Sequence, residues 1–177
     1  MKTQLYILKM ISIFLLIVSC SSNDDNSQNS MVIGTIELSG SDTAILGNSL
    51  TVANIYDSAF SVTGTNSSVV LVDANTTIEN GELNSTDFSN GFVIVAAEFD
   101  ADDNAAVEKT ISMTIVKDGD SFSYVCSTPA ISAADNTDCG LGYSVDKIAK
   151  LIVFNDTTVI NVDSGAILIM NGTIDYN

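Results

Sequence analysis

A chain of 177 residues, 46% of them apolar, is long enough to bury one two-layer core but leaves little room for a second domain. Its 22 acids face six lysines, with no arginine, histidine or tryptophan, for a formal net charge of -16. This balance argues against nucleic acid and anionic membrane surfaces as partners, because both are held by Lys and Arg. It also excludes histidine-based triads and the usual zinc sites.

Residues 1–19 read as an export leader. Lys2 and Lys9 flank or precede the uncharged apolar run Met10–Val18, which is too short to span a bilayer and of the right length for a signal-peptide core. The run exits through Ile17-Val18-Ser19-Cys20. This tetrapeptide resembles the lipobox of bacterial lipoproteins. The resemblance implies that Cys20 is acylated and becomes the mature N-terminus, and that two or more acyl chains hold the protein at a membrane. Loss of the leader removes Lys2 and Lys9 but no acid, so the mature balance becomes 4 - 22 = -18.

Residues 20–30 are polar throughout and read as a solvated tether. Within it, Asp24-Asp25 resembles the acidic address of Bacteroidetes lipoproteins that reach the outer face of the outer membrane.

From residue 31 to 177 the chain reads as a single β domain. Candidate strands are Val32–Leu38, Ser49–Thr63, Ser68–Asp73, Phe92–Phe99, Thr110–Lys117, Ser121–Cys126, Lys150–Asn155, Thr158–Asp163 and Ala166–Tyr176. Thr110–Lys117 and Ser121–Cys126 alternate with period two, as antiparallel strands with one wet face do, while Phe92–Ala97 is apolar on both faces. Asp118-Gly119 between two alternating runs predicts a hairpin, as does Asn80-Gly81, and Asn171-Gly172 reads as a hairpin turn or a bulge in a long last strand. No segment has a capped 3.6-residue period; Ser144–Lys150 has room for one helical turn. The predicted class is all-β, an antiparallel β-sandwich of Ig-like, Greek-key type with about eight or nine strands. A closed, lipocalin-like β-barrel is the alternative.

Once Cys20 is assigned to lipid, Cys126 and Cys139 remain as an even pair, and outside the cytoplasm their expected state is a disulfide. The densest carboxylate run follows the most apolar strand. In it Asp100, Asp102 and Asn104 have the alternate spacing of oxygen ligands in a calcium loop, with Glu108 as a further ligand. Ala105 stands where such loops place Gly, and Ile111 where they place a bidentate Glu, so a solvated acidic hairpin loop is the competing reading. Asp42-Thr43-Ala44, Asp57-Ser58-Ala59 and Asp156-Thr157-Thr158 resemble the Asp-Ser/Thr acceptor of Bacteroidetes O-glycosylation.

No catalytic constellation is singled out, and the expectation is a non-enzyme without a required cofactor, Ca²⁺ at the acidic loop being the exception to test. The expected role is a lipid-anchored envelope or surface protein of the outer membrane. Its acidic β domain would bind an envelope protein or extracellular ligand, or serve structurally. A barrel-type lipoprotein carrying a small apolar ligand is the alternative.

Overall fold

The structure, a computed structural model, describes residues 32–100, 105–131 and 136–176. Cys20 and the tether lie outside the described residues, as do Asp102 and Asn104. The strands in chain order are β1 (Gly34–Gly40), β2 (Ser49–Val52), β3 (Asn54–Tyr56), β4 (Ser68–Val72), β5 (Thr76–Glu79), β6 (Glu82–Ser85), β7 (Asn90–Glu98), β8 (Lys109–Lys117), β9 (Asp120–Thr128), β10 (Ser144–Asp146), β11 (Leu151–Asn161) and β12 (Ile167–Asp175). Two one-turn helices, α1 (Thr43–Leu46) and α2 (Phe60–Thr63), interrupt them.

The fold is all-β and antiparallel. Its main sheet follows the order β2-β1-β12-β11-β9-β8-β7-β4-β3, with β10 added on β11. The two ends of that path, β2 and β3, are separated in the chain by Ala53 alone. Ile33 N donates to Val52 O (2.8 Å) on one side, and Ala53 N donates to Val72 O (3.1 Å) on the other, so one bent run serves both edges. The sheet therefore nearly closes into a barrel, the second of the two architectures expected from the sequence. Near-closure also answers the edge-strand problem, since an unpaired edge invites pairing with other chains.

Alternation decides which side chains face inward. Ile36 and Leu38, Leu50 and Val52, Val69 and Leu71, Ile94 and Ala96, Ile111 and Met113, and Leu168 and Met170 join one buried cluster. β4 is buried at every position because its outer face is covered too. There Val70, Val72 and Ala59 pack with Val62 of α2, Ile78 of β5, and Val93 and Val95 of β7. This explains the doubly apolar reading of Phe92–Ala97.

Three expectations are corrected. Ser49–Thr63 is not one strand: it bends at Ala53 to change sheet edges and ends in α2, which Gly64 terminates in the left-handed conformation (φ 75°). Lys150–Asn155 and Thr158–Asp163 are one strand, β11. The polar pair between them is a bulge, with Phe154 opposite Gly172 and Thr157 opposite Met170. The extra residue thus lies on β11 rather than at Asn171-Gly172, and it flips the inward parity from Ile152 and Phe154 to Thr157, Val159 and Asn161. Asn171 secures the bulge, accepting from Asp156 N (2.9 Å) and donating to the Asp156 carboxylate (3.3 Å). Gly172 is required by close approach, because a Cβ there would meet Thr35 O at 2.8 Å. Finally, Ser144–Lys150 holds β10 and a turn in place of a helical turn, since β10 pairs with β11 from Ser144↔Val153 to Asp146↔Leu151. The hairpin expected at Asn80-Gly81 is made by β5 and β6, each only four residues long, too short for alternation to mark them as strands in the sequence.

Candidate functional site

The two ends of the barrel are best told apart along β11, whose first residue is Leu151 and whose last is Asn161. At the Asn161 end, α1 folds across the opening and inserts Leu46 into the core. Asp42, just before α1, accepts from the phenol of fully buried Tyr124 (2.5 Å) and from Asn161 Nδ2 (3.5 Å). Burial, and next the hydrogen bond to Asp42, push the Tyr124 phenol well above its ordinary range. Asn161 Oδ1 in turn caps the backbone of Asp163 and Ser164 (3.0 Å each). This end is built as closure rather than as a reaction site.

The Leu151 end is polar. Three of the four lysines of residues 20–177, Lys109, Lys147 and Lys150, gather there. Lys147 Nζ donates to three backbone carbonyls, those of Asp57 (2.6 Å), Asn66 (2.5 Å) and Ser68 (3.4 Å). Lys150 pairs with Asp57 and lies 5.4 Å from the centre of the Tyr176 ring. The Lys150 contact holds the Asp57 carboxyl below its usual range, while burial, then the carboxylates of Asp57 and Asp146, raise the Tyr176 phenol. Lys109 donates to Tyr143 O (2.6 Å) and sits 3.5 Å from Glu98, whose other oxygen accepts from Val145 N (2.7 Å). Each of these ammonium groups is thus spent on tying one loop to another.

Between those loops lies an open cleft of about 640 Å³, walled by Asn66, Ser67, Glu98, Asp100, Asp146 and Lys147 among others. A second concavity of about 280 Å³ includes Asp100, Ala105, Val107 and Glu108 in its wall. Glu98 and Asp100 line both, so the end of β7 and the residues just after it form the border between them. At its base Phe99 N donates to Glu108 O and Glu108 N to Thr128 O, both at 2.7 Å. Of the four calcium candidates, Asp100 and Glu108 are described and share the second concavity; Asp102 and Asn104 lie outside the described residues. Among the described residues there is no cluster of three or more metal-ligating side chains.

Cys126 and Cys139 meet at disulfide distance, with Sγ–Sγ 2.08 Å and Cα–Cα 5.0 Å, and both are buried. Of the three Asp-Ser/Thr triplets, Ser58 is exposed, Thr43 is half-buried and donates to Gly40 O (2.7 Å), and Thr157 is fully buried. The sequence marked Asp57 only within an Asp-Ser/Thr triplet, and did not single out Glu98, Lys109, Asp146, Lys147 or Lys150. Their signal was scarcity: in so acidic a chain each lysine is an anchor whose partner is worth seeking.

No protein-family model, curated protein or solved structure matches the chain.

Proposed function

We propose that this chain is a lipid-anchored envelope protein of the outer membrane whose acidic β domain is a binding module, working through the cleft at the Leu151 end. The observation that carries the binding role is that cleft: about 640 Å³, open, and polar, with its Lys147 ammonium turned to backbone carbonyls while Glu98, Asp100 and Asp146 stand in its wall. A wall of that composition favours a cationic or hydroxyl-rich ligand over an anion. The lipid anchor rests on Ile17-Val18-Ser19-Cys20 and the envelope location follows from it.

Two experiments test the two halves. Metabolic labelling with a fatty acid marks the wild-type protein and fails on Cys20→Ala; equal labelling of both removes the anchor. For the cleft, thermal melts of the domain are taken with Ca²⁺ and, separately, with a lysine-rich peptide at millimolar concentration. A rise in Tm that Asp100→Asn and Asp146→Asn abolish supports the cleft. A Ca²⁺ response lost only in Asp102→Asn and Glu108→Gln assigns the ion to the β7–β8 loop instead, with the weak affinity of roughly 10⁻⁴–10⁻³ M usual outside cells. No shift with either probe, in a panel extended to neutral oligosaccharides, removes the cleft.

The nearly closed barrel favours a second reading, a carrier of a small apolar ligand. Against it stands an interior filled by Ile94, Ile111, Met113, Tyr143, Phe154 and Met170, all essentially without exposure.

A further inference from the structure

Among the described strands, the main sheet's shortest pairing is that of β9 with β11. β9 and β11 are in register only at Val125↔Ile160 and Tyr124↔Asn161, helped by Val162 N donating to Ser123 O (3.0 Å). Beyond Val125 the two strands part, and a strap formed by residues 136–146 occupies the seam. Ser127 N of β9 donates to Thr137 O (3.0 Å), and Thr158 N of β11 donates to Cys139 O (3.2 Å), so the strap's backbone satisfies each strand where its partner is missing. Gly142 lies so close to β11 that a Cβ would meet Asn155 O at 2.1 Å. The strap then reaches across the barrel mouth. Tyr143 stacks on Phe154 (5.9 Å between ring centres), and its hydroxyl lies 3.1 Å from Thr110 O and 3.3 Å from Ala97 O.

The seam is fastened differently at its two ends. Toward α1 it is held by the strand register and by Asp42, which bridges Tyr124 of β9 and Asn161 of β11. Toward the cleft, among the described residues, it is held through the strap, and the strap is joined covalently to β9 by the Cys126–Cys139 disulfide. The strap's own last residues form β10, which pairs with β11 from Ser144↔Val153 to Asp146↔Leu151, while the pairings along the main path from β2 to β3 are made without it. Beside the strap, the buried Thr157 hydroxyl of β11 has no hydrogen-bond partner, a local cost that entry of water would relieve.

We infer that the strap is a disulfide-latched gate: with the latch oxidised the seam is shut, and with it reduced the seam opens at the cleft end while the barrel stays folded, hinged at the α1 end. Opening lifts Tyr143 off Phe154 and exposes apolar core surface to solvent at the cleft end. Reduction takes two electrons and two protons from a dithiol, which becomes a cyclic disulfide as Cys126 and Cys139 become thiols. The loop closed by this bond has 12 residues between the cysteines, and freeing such a loop shifts the open-to-closed ratio by on the order of 100-fold.

Hydrogen exchange of the mature chain, read by mass spectrometry before and after dithiothreitol and on Cys126→Ala/Cys139→Ala, tests this. The gate predicts exchange faster by on the order of 100-fold in residues 136–146 and 151–158. It also predicts unchanged protection in β7, β8 and β12, a retained far-ultraviolet spectrum and a rise in anilinonaphthalene sulfonate fluorescence. Gly142→Ala, with the disulfide intact, blocks seating of the strap on β11 and should reproduce the local pattern even where the double variant fails to fold. Strap amides that stay as protected as those of β8 overturn the gate. So does loss of protection in all strands together, which would make the disulfide a staple of the whole fold.

Discussion

At the α1 end the barrel is closed by chain that is local to it: Leu46 drops into the core a few residues after β1 ends, and a single carboxylate, Asp42, is shared by two side chains of the wall. At the Leu151 end closure is long-range and mostly polar. Lys150 reaches Asp57, Lys147 reaches Asp57, Asn66 and Ser68, and the strap runs over the mouth to Glu98 and Lys109. Apolar burial is roughly proportional to area and is not subject to charge screening. Exposed ion pairs are screened and worth little, so the polar ties at the Leu151 end contribute less to stability than the apolar plug at the α1 end.

Substitutions should separate the ends sharply. Leu46→Ala removes a nearly fully buried side chain and is expected to lower stability by about 2–5 kcal/mol in denaturant melts. Ile148→Ser at the other end, where the side chain is 97% exposed, should stay within about 0.5 kcal/mol. Equal effects would erase the distinction. Next in size, Tyr124→Phe strips the Asp42 carboxylate of its short hydrogen bond and should cost about 1.5–3 kcal/mol. Lys147→Ala loses three carbonyl contacts at the rim of a solvated cleft, and about 1 kcal/mol is expected, read from the same melts.

The smallest effect is tied to pH and salt. Lys150 depresses the Asp57 carboxyl, so the pair stabilises the fold above the unfolded carboxyl value of about 3.9 and loses that contribution as pH falls through the lower folded value. Asp57→Asn should therefore flatten the decline of Tm below about pH 4 and remove part of the response to 0.5 M salt, an effect of roughly 0.2–1 kcal/mol for so exposed a pair. Asp87, held down by the amides of Ser89 and Asn90, titrates in the same window and keeps part of the slope in that variant. An unchanged acid limb in Asp57→Asn would show that Lys150 contributes nothing there.

Period-two alternation made β8 and β9 legible to within a residue or two, because each has one wet face and Asp118-Gly119 fixes the hairpin between them. The same rule misread the middle of β11. Asn155-Asp156 has the composition of a turn, and only the pairing of Phe154 with Gly172 and Thr157 with Met170 shows a strand passing through a bulge. Asp100 was found from oxygen-ligand spacing along the chain. Asp146 and Lys147, adjacent at the end of β10, meet Glu98 and Asp100 in the cleft across more than forty residues of chain, a neighbourhood no local pattern records.

The sequence by itself determined the all-β antiparallel class, the acidic character and the pairing of Cys126 with Cys139, because these depend on alternation, composition and parity, which are local or additive. The tertiary structure alone decided that Ala53 carries one strand from edge to edge and nearly closes the sheet, that the strap fills the β9–β11 seam, and that three lysines gather at one mouth. Closure and clasping are set by residues tens of positions apart that satisfy one another's hydrogen bonds and charges, and that partnership exists only once the chain has folded.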